Sequence, residues 1–159
     1  MPEVLREYES WPGLGVNLAQ FGTSGHRTRP DGLVIENYLY RSFSLLRWIK
    51  SIVDPARALR CHGAHRFVFS EGHTVDVHKR PTEGWESVER SLDVLRVNHY
   101  YTKSEAELLE KWGRPRADTG ELRHELVMED LHRMESRFKR DETILMYLPP
   151  LKQALGIEA

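Results

Sequence analysis

Among the side chains able to do chemistry, the eight histidines come first: residues 26, 62, 65, 73, 78, 99, 124 and 132. None falls in the His-Glu-x-x-His spacing that sets two ligands and a base on one helix face, which argues against a self-contained zinc enzyme. His62 and His65, or His73 and His78, could be cross-strand neighbours in a hairpin, either as ligands or as ordinary surface residues. A second group is Gly22-Thr-Ser-Gly25-His26. It is one residue short of the Gly-x-Ser-x-Gly elbow, so Ser24 is not a hydrolase nucleophile by that pattern, and no phosphate-binding Walker loop or Gly-x-Gly-x-x-Gly occurs. Its small residues and hydroxyls could cradle a phosphate or a sugar, or could equally form a tight turn before the next helix. The third group is His99 with Tyr100, Tyr101, Lys103 and Ser104, placed either as a functional cluster or as aromatic packing around a satisfied imidazole. Arg114 and Arg116 follow, able to pair with an anion or simply solvated.

These groups need elements to hold them. Pro2 to Tyr8 predicts a short amphipathic helix with an acid near its positive end. Gly15 to Phe21 is short, apolar and Gly-bounded, as a buried strand is, and it delivers the glycine-flanked loop. The spacing of Ile35, Tyr38, Leu39, Phe43 and Leu46 predicts a helix over Leu33 to Trp48. Lys50 to Pro55 reads as an edge strand stopped by proline. Phe67, Phe69, Val75 and Val77 flank Ser70-Glu-Gly-His73, which predicts a hairpin turning there, and the charged stretch Lys79 to Glu89 reads as a loop. Leu92 to Tyr101 predicts a second strand. Ser104 and Glu107 form a capping box ahead of a helix closed by Gly113. Two further helices are expected over Glu121 to Phe138 and Asp141 to Leu155, the latter broken at Pro149-Pro150.

Composition bounds the class. The chain has 159 residues, 40% hydrophobic and 30% charged, enough for one domain. No apolar run is long enough for a membrane span, and the charged N-terminus lacks the apolar centre of a secretion signal, so a cytoplasmic protein is expected. With 23 basic and 24 acidic residues the net charge is -1, which argues against nucleic acid as a partner. Cys61 is the single cysteine and leaves no internal disulfide.

Five segments in order, Phe21-Gly-Thr-Ser-Gly-His26, Pro30-Asp-Gly-Leu-Val-Ile-Glu36, Lys50-Ser-Ile-Val-Asp-Pro55, His65-Arg-Phe67 and Asn98-His-Tyr-Tyr-Thr-Lys-Ser104, resemble the C-terminal half of glycosyltransferases of the family 2 and family 92 type. The resemblance covers nearly the whole chain. It implies an α/β fold: part of a GT-A-like sandwich, with a short mixed sheet, flanking helices and a β-hairpin. It also implies transfer of a sugar from a nucleotide-sugar donor to a carbohydrate or other hydroxyl acceptor. In such enzymes an Asp-x-Asp motif in the preceding half holds a divalent cation, manganese or magnesium, that stabilises the leaving diphosphate. No Asp-x-Asp occurs here, and Leu18 stands where an aromatic residue is expected. The resemblance therefore implies an acceptor-side part lacking its donor-binding half, inactive or weakened alone.

By the same resemblance, Gly22, Thr23, Ser24 and Gly25 approach the donor sugar or diphosphate, with His26 at the loop's edge. Lys103 adds positive charge, and His99 is similar to a C-terminal histidine that completes the metal site. Glu36, then Asp31, are the nearest carboxylates in sequence to act as the general base that deprotonates the acceptor. Two other readings stand beside this one. A binding or oligomerising module would cover an exposed sheet edge with a second copy, and a metal hydrolase would be built on His62, His65, His73 and His99.

Overall fold

The computed structural model describes residues 2–63, 65–116, 119–121 and 128–157. In chain order the elements are α1 (Pro2–Arg6), β1 (Gly13–Phe21), α2 (Val34–Asn37), β2 (Tyr40–Arg41), β3 (Ile49–Val53), β4 (Ala58–His62), β5 (Arg66–Phe69), β6 (Thr74–Val75) and β7 (Val97–Tyr100). They continue with α3 (Glu105–Trp112), α4 (Met128–Glu135), β8 (Lys139–Arg140), a 3₁₀ turn (Thr143–Tyr147) and α5 (Leu148–Leu155). This is a mixed α/β chain, and it divides into two compact units: residues 1–19 with 44–98, and residues 20–43 with 99–159. Among the described residues no helix is long and apolar enough to cross a membrane.

In the first unit β1 runs antiparallel to β3, from Gly13 opposite Val53 to Asn17 opposite Ile49, and parallel to β6 at Gly13 and Leu14. Its side chains are buried almost throughout, as in a strand covered on both faces. Tyr8, Leu14, Val16, Val75 and Val77 form the core, and the Tyr8 hydroxyl donates to the Val77 carbonyl at 2.7 Å. Asn17, 1% exposed, satisfies its amide on Ser87 Oγ at 2.8 Å and accepts from the Ser91 N–H at 3.2 Å. A buried amide without such partners would cost about 1–3 kcal/mol. The edge-strand expectation for Lys50 to Pro55 is met by β3.

The hairpin lies elsewhere than expected. β4 and β5 pair from Ala58 opposite Phe69 to His62 opposite Arg66, so the chain reverses beyond Gly63 (φ +72°) and not at residues 70–73. Phe67 and Phe69 belong to this hairpin, whereas Val75 belongs to β6. Neither histidine pair forms across strands: His62 faces Arg66, and His65 Nδ1 lies 2.5 Å from the Ile49 carbonyl.

In the second unit Phe21 of β1 pairs with Arg41, and β2 pairs with β8 through Tyr40–Arg140 and Arg41–Lys139. The helix expected over Leu33 to Trp48 is only the single turn α2. Register pairing takes Tyr40 and Arg41 into a sheet, and Leu39 accepts the Asp141 N–H at 2.8 Å, so tertiary partners override the helical spacing. Arg41 Nε meets Asp141 Oδ2 at 2.5 Å with both side chains under 10% exposed. The capping box stands as expected: Ser104 Oγ accepts from the Glu107 N–H, and Glu107 reaches back to the Ser104 N–H. Leu108, Trp112 and Leu131 pack together beneath Tyr101 and Met128. Burying each leucine contributes about 1.5–3 kcal/mol. Of the helix expected over Glu121 to Phe138, the structure shows α4, and residues 122–127 lie outside the described residues. Pro149 and Pro150 do not break the last helix. They occupy the first turn of α5, where a missing N–H costs nothing, and the preceding segment is a 3₁₀ turn.

Candidate functional site

Every site residue that the glycosyltransferase resemblance nominated lies in the second unit, whereas His62, His65, His73 and His78 lie in the first. The loop leaving β1 is fastened to β2 at both backbone polar groups of Tyr40: the Gly22 N–H donates to its carbonyl at 3.0 Å, and its N–H donates to Ser24 Oγ at 3.0 Å. Ser24 and Gly25 follow with φ of +52° and +81°. The left-handed conformation costs a non-glycine residue about 1 kcal/mol, and the surrounding hydrogen bonds hold Ser24 there. The His26 N–H closes the turn on the Thr23 carbonyl at 3.0 Å. Gly22 is required for a different reason: a Cβ there would overlap the Glu135 carboxylate and the Phe138 ring.

Glu135, from the last turn of α4, fills the hollow of this loop. Its Oε1 accepts the Thr23 N–H at 2.9 Å and its Oε2 accepts the Thr23 hydroxyl. The two Thr23 donors of the loop are therefore engaged by an acidic side chain. A second anion at this point would be repelled, whereas a neutral polyol would not. The cleft in front, about 540 Å³, is lined by Ser24, Gly25, Arg27 and Tyr40 on one side and by Glu105, His132 and Glu135 on the other. His132 Nε2 lies 2.8 Å from Glu105 Oε1. The sequence sets His132 among the eight histidines without giving it a role, and Glu105 and Glu135 are not among its candidates. The one available signal was the three-residue spacing that sets His132 and Glu135 on one helix face.

His26 is turned away from ligand duty. Its Nε2 lies 3.1 Å from the Asn37 carbonyl, and its ring meets Tyr38 edge-on at 5.4 Å. The His26 and Arg27 carbonyls accept the N–H groups of Glu105 and Ala106, each at 3.0 Å, so the start of α3 is capped by the loop itself. Asp31 contributes its carbonyl, which accepts from Asn37 Nδ2 at 2.8 Å, and its side chain is exposed. Glu36 is committed at both oxygens, to Lys152 Nζ at 2.6 Å and to the Leu33 N–H at 2.8 Å. The Lys152 ammonium first, and then the Leu33 N–H, hold its carboxyl below the usual carboxylate range. A carboxylate so held is a weaker proton acceptor, and Glu36 serves as helix cap and ion-pair partner in place of the base expected there. Neither Asp31 nor Glu36 is among the described residues lining the cleft.

Lys103 stands at φ +53° and meets Glu107 Oε1 at 3.4 Å. Burial pushes the Glu107 carboxyl up, but hydrogen bonds from Ser104 and Tyr38 and the Lys103 charge outweigh it, and the net effect is a lowered value. Lys103 borders a second cleft of about 460 Å³ with Tyr101, Lys111 and Arg114, where Lys111 Nζ sits 3.4 Å from the Tyr101 ring centre. His99 packs edge-on against Tyr101 at 5.7 Å. Among the described residues no three His, Cys, Asp or Glu side chains converge. His99 with that aromatic neighbour is not the donor set a divalent cation needs, which is several oxygens or imidazoles. No family model matches the chain, and no curated protein or solved structure matches it either.

Proposed function

We propose that the chain is the acceptor-side part of a GT-A-like glycosyltransferase that moves a sugar from a nucleotide-sugar donor to a carbohydrate or other hydroxyl acceptor. The observation that carries this reading is where the resembling segments meet. Residues 21–26, 30–36 and, but for Asn98, 98–104 lie in one unit, where the Thr102 hydroxyl donates to the Phe21 carbonyl at 3.2 Å. Residues 50–55 and 65–67 meet in the other unit, where Ser51 Oγ donates to the His65 carbonyl at 2.7 Å. Two pairs of the resembling segments are thus hydrogen-bonded to each other, which supports the reading.

The engaged Thr23–Glu135 pair refines the reading. The loop faces sugar hydroxyls, which can share a carboxylate, and leaves a diphosphate to other groups. A cytoplasmic location and assembly with a second copy go with this proposal. The test is calorimetric titration with uridine diphosphate, with and without manganese, together with release of uridine diphosphate from its glucose, galactose and N-acetylglucosamine conjugates. Binding and release support transfer, and neither would support the second reading.

That second reading, a non-catalytic binding or oligomerising module, rests on the exposed row Met146, Tyr147, Leu151 and Leu155 in the 3₁₀ turn and α5. A module of this kind self-associates in light scattering across a concentration series and, unlike the transferase, binds no nucleotide in the calorimetric titration.

A further inference from the structure

The cleft beside the Gly22–Gly25 loop contains a proton-handling pair. His132 Nε2 lies 2.8 Å from Glu105 Oε1, a pairing that in the neutral ring places the proton on Nε2 and the lone pair on Nδ1. The position of Glu105 is set by the loop, since its own N–H is bound to the His26 carbonyl at 3.0 Å. His132 is 55% exposed at the side chain and Glu105 22%, so the imidazole is presented from a more sheltered partner. The other carboxylate of the cleft, Glu135, is occupied by Thr23 at both oxygens. Among the described residues, the charged groups that line the cleft with His132 are Arg27 on the loop, Glu105 on α3 and Glu135 on its own helix.

We propose that His132, held in this tautomer by Glu105, is the general base of the cleft. The proposal rests on the transferase reading. The acceptor O–H gives its proton to Nδ1 as the oxygen's electron pair forms the bond to the anomeric carbon. The bond from that carbon to the donor's phosphate oxygen breaks, and its pair leaves on the nucleoside diphosphate. The imidazolium that results is stabilised by the Glu105 carboxylate, which does not itself take the proton. His132 is the catalytic residue of this step and Glu105 is a positioning residue.

The test follows release of uridine diphosphate from the three conjugates across pH, using the full chain and the variants His132→Gln, His132→Asn, Glu105→Gln and Arg133→Gln. Both His132 variants are expected to lose turnover by about 10²–10⁴-fold and to lose the acid limb of the profile. Glu105→Gln loses less, and loses it in kcat rather than in KM, because the imidazolium formed in the step has lost its counter-charge. Arg133→Gln, which removes only an exposed pair with Asp130, keeps the parent rate. A His132→Gln protein that keeps the parent rate and profile overturns the base assignment and leaves the transferase reading standing. Calorimetric binding of uridine diphosphate without release overturns the base assignment and leaves the acceptor-side reading, which expects a weakened chain, standing; neither binding nor release overturns the transferase reading, and the step assigned to His132 goes with it.

Discussion

Thr23 and Glu135, 112 residues apart, are bound to each other twice, by the Thr23 backbone N–H and by its hydroxyl. One carboxylate thereby fixes both the conformation of the loop and the seating of the last turn of α4. Glu135→Ala leaves two donors without their acceptor, and hydrogen bonds to a charged group are worth about 1.5–3 kcal/mol. A loss of that order is expected in urea unfolding, with a smaller one for Glu135→Gln. An unchanged midpoint for Glu135→Ala would show that the pair contributes nothing.

The two glycines of the loop fail for different reasons. Gly22→Ala forces a methyl against the Glu135 carboxylate and the Phe138 ring, an overpacking that costs about 1–3 kcal/mol. Gly25 meets nothing within 4 Å but stands at φ +81°, so Gly25→Val strains the backbone alone. Melting temperatures of the two variants should both fall. In the double variant Gly22→Ala with Glu135→Ala, part of the Gly22 penalty should be relieved, whereas Gly25→Val with Glu135→Ala should show no such relief.

Arg41 and Asp141 form a buried ion pair. Removing one partner leaves the other charge buried and uncompensated, which costs about 3–5 kcal/mol. Asp141→Ala is expected to lose stability on that scale in guanidinium unfolding. A loss no larger than that of Asp130→Ala, whose pair with Arg133 is exposed, contradicts this reading of the Arg41 environment.

The acid dependence has a definite sign. Glu36 is held low in the folded chain by Lys152 and the Leu33 N–H, so the unfolded chain takes up its proton at higher pH than the folded one. Its contribution is complete above the ordinary carboxylate value of about 4.3 and fades as pH falls through the lower folded value. Asp54, held low by the Ala56 N–H and Arg57, acts in the same direction. The stability difference between Lys152→Met and the parent is therefore expected at pH 7 and should shrink toward zero in acid. A difference constant between pH 7 and pH 2.5 would contradict it.

Local chemistry was legible and distant pairing was not. Ser104 and Glu107 are three residues apart, and their bonds follow from that spacing alone. β1 was visible because an apolar run flanked by glycines has few other uses. The apolar positions of Leu33 to Trp48 misled because Tyr40 and Arg41 take partners almost a hundred residues away, and no local spacing carries that information. The reversal near Gly63 was missed because Ser70-Glu-Gly-His73 has the better turn composition. In the site, sequence proximity to the loop points to the carboxylates of Glu36 and Asp31, whereas the carboxylates and the imidazole that line the cleft come from α3 and α4.

The loop carbonyls of His26 and Arg27 also stand in for a preceding helical turn at the start of α3. Helix and loop therefore share one opening event: the amides of Glu105 and Ala106 gain access to solvent only when the segment about eighty residues upstream lifts away. Isotope exchange at these two amides reports on the loop, so a small molecule that clamps Gly22 to His26 would slow deuterium uptake at the start of α3 as well.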